Sequence, residues 1–596
     1  MTPSSFFPLF FLVLALALSS SSAAPDYHER LDLQPLPQSA LLASFNFRSN
    51  TSQGSFERGH FRYFPRALGQ ILQHAHAKEL HLRFTTGRWD AESWGSRPWN
   101  GAKEGGTGVE LWAWIDAVDY ERAFANWITL TQSLSGLFCA SMNFVDSTRT
   151  TRPVASFEPA GDHVPSGRLH LLHGTLPGEV VCTENLTPFL KLLPCKGKVG
   201  ISSLFDGHKL FDASWQSMSV DVRPICSGQG ECLVQIEQGV DMVMDIDRSK
   251  RSRDNPIPRP VPAEELVCDT SKPYHSGDTC YPLESTLEKE WGLSEVFGRT
   301  LNGVCPLTDG QDAESVCLQV PHERAVSAQG ASETKDPSGF SRCFTLQPST
   351  PFDLVVPEQE VHSHVPLDEG TLHAERTIVG HGQERGGMRT IFNNPSDTEA
   401  VDFVYFETLP WFLRPYVHTL QVTSTGRDGV RRQVPSSQII KETFYRPAID
   451  RKRGTQLELA LSVPAASTVT LTYDFEKAIL RYTEYPPDAN RGFNVAPAVI
   501  RLLDRQNDSR SSPVYMRTAS LLLPLPTPDF SMPYNVIILT STVIALAFGN
   551  IFNMLVRRFV SKEEARAVLS QTVKGRVAGK ILALKDRIRG KESKVE

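Results

Sequence analysis

The stretch Leu457–Phe475, LELALSVPAASTVTLTYDF, sets Leu457, Leu459, Leu461 and Val463 against polar or small neighbours. It then repeats the pattern with Val469, Leu471, Tyr473 and Phe475. Successive side chains of a strand point to opposite faces, so a period of two marks strands with one buried side. Val401, Phe403 and Tyr405 alternate in the same way. Between Thr371 and Leu523 short runs of this kind are separated by turn residues, which predicts an antiparallel β-sandwich.

Towards the N-terminus the pattern mixes. Ala43, Phe45 and Phe47 alternate with polar residues, and Leu80, Leu82 and Phe84 alternate with His81, Arg83 and Thr85, predicting half-buried strands. Between them, Pro65 precedes Leu68, Ile71, Leu72 and Ala75 at helical spacing. A second helix is predicted from about Asp119 to Leu134, with Phe124, Trp127, Ile128, Thr131 and Leu134 on one face. The resulting expectation is a mainly β chain: a signal peptide over 1–24, an α/β region over 25–246, a Cys/Pro-containing linker or insertion over 247–341 and a β-sandwich domain over 342–530. A single transmembrane helix over 533–556 and a basic tail over 557–596 complete it.

Both ends carry compartment signals. Phe6 to Leu18 is an apolar run of signal-peptide length, followed by Ser21-Ser22-Ala23, which meets the small-x-small cleavage rule. From Ser531 to Val556 there is no charged residue, enough to span a bilayer. The tail beyond holds 12 Lys or Arg against 5 Asp or Glu, and the positive-inside rule places it in the cytosol. Taking its +7 from the chain total of -6 leaves -13 for the rest, so nucleic acid is not an expected partner. A single-pass type I membrane protein follows, with the bulk of the chain lumenal or extracellular.

The chain has 10 cysteines, and a secretory compartment oxidises most of them. Cys226 with Cys232, Cys268 with Cys280, and Cys305 with Cys317 are close enough in sequence to close local loops, although connectivity stays open. Cys139, in the apolar setting SLSGLFCASMNF, is expected to be a buried free thiol. Asn50, Asn185 and Asn507 stand in glycosylation sequons. His74, His76 and His81 do not converge on one face, and no zinc signature occurs, so no metal is expected. GHGQERGG, 380–387, lacks phosphate-loop spacing, and no Gly-x-Ser-x-Gly elbow appears. No cofactor is expected. Five tryptophans fall between Trp89 and Trp114; core packing takes the larger share of them, and the loop GRWDAESWGSRPWNG offers a contact surface for a partner or glycan. In the tail, Val573, Val577, Ile581, Leu584 and Ile588 recur at helical spacing among basic residues, predicting an amphipathic basic helix for the cytosolic leaflet.

The blocks LRFTTGRWDAESWG, ELWAWI, LSGLFCASMNF, VVCTENLTPFLKLLPC, GHGQERGG, LPWFLRPYVHTL and LPTPDFSMPYNVIILTSTVIAL together resemble the PIG-T family, subunit T of the glycosylphosphatidylinositol (GPI) transamidase. The resemblance implies an endoplasmic reticulum complex that cuts a C-terminal signal from a proprotein and transfers the new carboxyl end to the ethanolamine amine of a GPI lipid. It implies that the nucleophile lies on a cysteine-protease-like K subunit, and that this chain is a non-catalytic, largely β-sandwich scaffold contacting K and the membrane subunits. Cys182 lies in the block matching the family's intermolecular cysteine, which implies a disulfide to the catalytic subunit and leaves Cys139 as the odd thiol. With a lipid acceptor, Ser531 and Asn535 at the mouth of the span become candidate contacts for the GPI headgroup, against helix capping by Ser531. The competing class is a single-pass lumenal or cell-surface module recognising glycan or protein.

Overall fold

The computed structural model describes residues 27–592 except 165–166, 227–231, 252–263, 265, 269–279, 283–286, 309–313, 338, 349, 361–369, 381, 487, 504–512, 528 and 530. The signal-peptide segment and Asn507 lie outside the described residues. Two units form, 1–526 and 527–596.

The first unit is built on an 11-stranded sheet. Its strands are β1 (Tyr27–Leu36), β2 (Ala40–Ser52), β3 (Ala77–Thr86), β4 (Gly108–Asp116), β5 (Thr150–Thr151), β6 (Leu169–Leu176), β7 (Trp215–Cys226), β8 (Cys232–Asp245), β9 (Glu314–Gln319), β10 (Ala331–Lys335) and β11 (Ser341–Leu346). The order is β10-β11-β9-β1-β2-β8-β7-β3-β4-β6-β5, and β1 pairs parallel with β9. Residues 247–341, expected as linker or insertion, therefore supply β9 and β10 to the main sheet. Helices α1 (Arg66–His74), α2 (Tyr120–Phe138) and α3 (Thr183–Leu192) share one core with its apolar side chains: Leu68 and Leu72, Trp127 and Leu134, and Leu186 and Phe189 are buried with Leu80, Leu82 and Phe84. Both N-terminal helices fall where the periodicity placed them.

The opposite face of the sheet departs from the half-buried pattern. His81, Arg83 and Thr85, set for the solvent side by alternation, are buried. His81 sits between Glu79 (Nε2 to Oε1, 2.7 Å) and Asp221, its ring stacked on Trp112, and Arg83 donates to Asp221 (2.6 Å) and to the Ala102 carbonyl (2.8 Å). Burial alone would push the imidazole down, but the bonds to Asp221 and Glu79 raise it. Glu79, whose burial is outweighed by bonds from His163 and His81, is held at about 2. A buried ion needs this completeness of pairing.

Over the β4 and β6 end of that face packs a sandwich of two five-stranded antiparallel sheets. One runs β12 (His373–Val379), β13 (Arg385–Asn394), β19 (Ser467–Lys477), β15 (Leu413–Thr425), β16 (Arg431–Val434). The other runs β17 (Ile440–Arg446), β18 (Thr455–Val463), β14 (Val401–Leu409), β20 (Val499–Leu502), β21 (Tyr515–Arg517). Leu457, Leu459, Leu461 and Val463 of β18, with Val469, Leu471, Tyr473 and Phe475 of β19, are all buried, as their alternation predicts. Glu458, between them, is buried as well. Its carboxylate accepts from the Val154 and Ala155 N–H groups (2.8 and 2.9 Å) and the Ser156 hydroxyl (2.6 Å), stitching the sandwich to the loop after β5. Arg517 completes the junction, donating to Glu110 (3.2 Å) and to the Gly101 carbonyl (3.0 Å).

Four disulfides tie this unit: Cys195–Cys305, Cys226–Cys232, Cys268–Cys280 and Cys317–Cys343. The expected Cys305–Cys317 loop does not form. Cys317 on β9 stands directly opposite Cys343 on β11, so strand register selects that partner, just as it sets Cys226 opposite Cys232 and Cys268 opposite Cys280. Cys305 instead reaches Cys195 across 110 residues.

Beside that bridge, Glu29 of β1 lies opposite Glu314 of β9. The Ile201 N–H donates to both carboxyls at 2.9 Å, Tyr27 donates to Glu29 (2.7 Å), and the Cys305 N–H donates to Glu314 (2.8 Å). Burial first, then the facing carboxylate, pushes Glu29 up to about 8, and burial lifts Glu314 to about 7, both from 4.5. A carboxyl raised in the folded state contributes stability below its unfolded pKa and loses it as pH rises through the folded value. The protein is therefore expected to weaken as pH rises from 4.5 to 8, and Glu29→Gln, which needs no proton, to weaken less. Melting temperatures of both proteins across that range check this: the variant's should gain on the wild type's as pH rises, and parallel curves would show that Glu29 holds no such proton.

The second unit is helical: α4 (Ser531–Val556), α5 (Lys562–Gln571) and α6 (Val573–Glu592). Among the described residues α4 alone is long and apolar enough to cross a membrane. A capping box between Ser561 and Glu564 starts α5. The tail predicted as helix from its spacing is helical in α6.

Candidate functional site

Two cysteines remain unpaired among the described residues, Cys139 and Cys182, and the fold brings their backbones to one edge of the first unit. Asp119 starts α2 by accepting from the Arg122 N–H (2.8 Å), and Trp127 pins its middle by donating to Thr150 (3.0 Å). The helix stops at Cys139, which takes the left-handed conformation, φ 51° and ψ 40°. That reversal turns the residue outward, so Cys139 is exposed rather than buried as its apolar neighbours predicted. Cys182 is half-buried at the N-cap of α3.

Asn185 joins the two. Its Oδ1 accepts from the Cys182 N–H (2.9 Å), and its Nδ2 donates to the carbonyls of Phe138 (2.9 Å) and Cys139 (3.4 Å). At 1% exposure, with the amide nitrogen committed, Asn185 has no room for a glycan in the folded chain, which corrects its reading as a sequon. A second bond, from the Ser141 N–H to Glu179 (2.8 Å), locks the same two segments. Asn185 and Glu179 as clamps were missed from the sequence. The available signal was an asparagine three residues after a helix start, the spacing of a capping box. A cleft of about 750 Å³ opens beside this edge, lined by Ser141, Phe144, Arg149 and Glu179 and, from the sandwich, by Trp411 and Arg451.

The other predicted residues are scattered. Asn50 is half-buried on β2, its Oδ1 accepting from Gln235 (2.9 Å). Ser531 and Asn535 are exposed at the start of α4, and the acceptor for the Ser531 N–H is Asp529 (2.9 Å), so Asp529 rather than Ser531 provides the cap. Glu29, Cys195 and Cys305 cluster closely enough for a metal ion, but the two sulfurs are bonded to each other and offer no thiolate. Of the clustered tryptophans, Trp89, Trp112 and Trp114 are core, and Trp99 is exposed.

These features define a class: a disulfide-tied, mainly β protein with one candidate membrane helix and two unpaired thiols clamped at one edge. A family described as "Gpi16 subunit, GPI transamidase component" matches residues 9–582. The chain is 40% identical over 586 residues to the GPI transamidase component GPI16 of Saccharomyces cerevisiae, covering 95% of this chain and 93% of that one. It is 35% identical to the PIG-T homolog of Schizosaccharomyces pombe, covering 92% and 93%, and 33% identical to the human GPI-anchor transamidase component PIGT, covering 90% and 91%. The chain belongs to the Gpi16/PIG-T family of GPI transamidase components.

Proposed function

We propose that this component is the non-catalytic scaffold of the transamidase, holding a cysteine-protease-like catalytic subunit through an intermolecular disulfide at Cys182 and meeting the membrane subunits through α4. The observation that carries this reading is the pairing of eight cysteines within the chain while Cys182, half-buried at the N-cap of α3 and lying in the block that resembles the family's intermolecular cysteine, stays unpaired. His81, whose two ring nitrogens both face carboxylates, is committed to structure, which favours a nucleophile on another chain. The chain would sit in the endoplasmic reticulum membrane with its first unit lumenal and its tail cytosolic. Ser531 and Asn535 would meet the GPI headgroup, and Asn50 and Asn507 would accept glycans where their amides are exposed.

A disulfide across an interface raises effective concentration without adding a catalytic group. Cys182→Ser is therefore expected to abolish a reducible heterodimer on a non-reducing gel while the partner still co-purifies at reduced activity. Cys139→Ser should leave the crosslink in place. A crosslink that persists in Cys182→Ser and disappears in Cys139→Ser would assign the bond to the wrong edge thiol.

A further inference from the structure

Trp99 stands apart from the other tryptophans of its loop. It and Asn100 both occupy left-handed backbone, φ 54° and 52°, a conformation that residues with a Cβ adopt only under strain. Gly101 continues the run at φ 69°, packed so tightly on the Tyr515 carbonyl that a Cβ would fall 2.0 Å from its oxygen. The side chain is immobilised too. Its indole N–H donates to buried Asp241 (2.9 Å), and the Lys103 ammonium, paired with Glu237 at 2.7 Å, lies 3.7 Å from the ring centroid. One face of the ring is thus taken by a cation, and the residue is still 37% exposed.

Trp99 forms a wall of a groove of about 560 Å³ over β1, β2 and β8. Outward side chains of the pleat make its floor: Arg30 and Asp32 from β1, Asn46 and Arg48 from β2. Arg30 grips Asp32 through three hydrogen bonds of 2.7–3.0 Å, so their charges cancel. Asn46 donates to Glu237 (2.6 Å), which fixes its amide plane. The Arg48 guanidinium makes no side-chain hydrogen bond or ion pair among the described residues.

We propose that this groove binds an oligosaccharide. A sugar ring presents a C–H face that packs on an aromatic plane and a rim of hydroxyls that both donate and accept. The groove offers an immobilised indole and a floor of planar, pre-oriented donors and acceptors, in a volume suited to a small ligand. Asp32 and Glu237 break any cationic strip, which disfavours an acidic polymer. The assignment goes beyond the scaffold reading and does not depend on Cys182.

The test is calorimetric titration of the full chain, in detergent, with α-linked mannotriose, a deacylated GPI glycan and a released high-mannose glycan. Binding with a dissociation constant on the order of 1 mM or tighter is expected, weakened at least about tenfold by Trp99→Ala and only a few-fold by Trp99→Phe, which keeps a ring. Thermal melts report whether each variant folds; should Trp99→Ala fail, Arg48→Ala on the exposed floor decides, with binding expected to weaken several-fold. Tighter binding of the deacylated GPI glycan assigns the groove to a lipid-borne sugar, and tighter binding of the high-mannose glycan to a protein-borne one; either upholds the proposal. No binding of any of the three, or wild-type affinity in folded Trp99→Ala, overturns it.

Discussion

Glu407→Ala is expected to destabilise the chain by about 3–5 kcal/mol, the cost of stripping a buried ion of its partner. Arg376 and Glu407 both have side chains at 0% exposure, and Arg376 donates to Glu407 at 3.0 Å between β12 and β14. Tyr473 on β19 donates to the other carboxylate oxygen at 2.7 Å, so one carboxylate ties three strands drawn from both sheets of the sandwich. Burial would lower the Arg376 pKa, and the charge and hydrogen bond of Glu407 together with Tyr405 and Tyr473 more than offset this, so the guanidinium stays charged. Without the carboxylate that charge keeps the Ala496 carbonyl and the Tyr405 hydroxyl as neutral acceptors, with no anion in place of Glu407. Replacing both members at once, Arg376→Met with Glu407→Leu, removes the stranded charge and is expected to recover most of the loss. Chemical denaturation of the three variants in detergent checks this. A double variant as unstable as Glu407→Ala would mean that the pair is not the unit of stability.

The second large effect concerns the bridge that spans the most chain. Cys195–Cys305 encloses 110 residues and Cys226–Cys232 only 6. On the chain-entropy account, closing a loop of about 100 residues is worth roughly 4.7 kcal/mol and one of about six residues roughly 2 kcal/mol. Cys195→Ser with Cys305→Ser is therefore expected to cost about twice as much as Cys226→Ser with Cys232→Ser, both measured by denaturant midpoint so that no odd thiol remains. The long bridge also lies against the Glu29–Glu314 pair, the Cys305 N–H being one of its donors, so its loss should steepen the decline in stability toward pH 8. Equal costs for the two double variants would refute the entropic ranking.

Much of the fold was legible one residue at a time. A period of two over Leu457–Phe475 depends only on which side each side chain leaves the backbone, and all eight apolar positions are buried. The helices after Pro65 and Asp119 carried their start signals and apolar faces together, and the candidate membrane helix from Ser531 to Val556 was plain from its lack of charge. Part of the site was legible as well: the setting SLSGLFCASMNF marked Cys139 as a free thiol, though a buried one, and the resemblance to the PIG-T family set Cys182 aside. The clamp was not, because Asn185 reads as a sequon until its amide is seen bonded to Phe138 and Cys139.

The composition of the chain and its short-range periodicity established a mainly β architecture, a candidate membrane helix and a tail of opposite charge, since each of these is a property of neighbouring residues. The contacts between distant segments settled the rest. His81, Arg83 and Glu458 read as surface residues because polar side chains pay to leave water; they are buried because Glu79 of the same strand, Asp221 of the neighbouring strand β7 and the N–H groups of residues 154 and 155 replace it. Cys305 pairs with Cys195 rather than Cys317 because β9 and β11 meet with Cys317 opposite Cys343. Strand register is a relation between segments, and neither segment carries it alone.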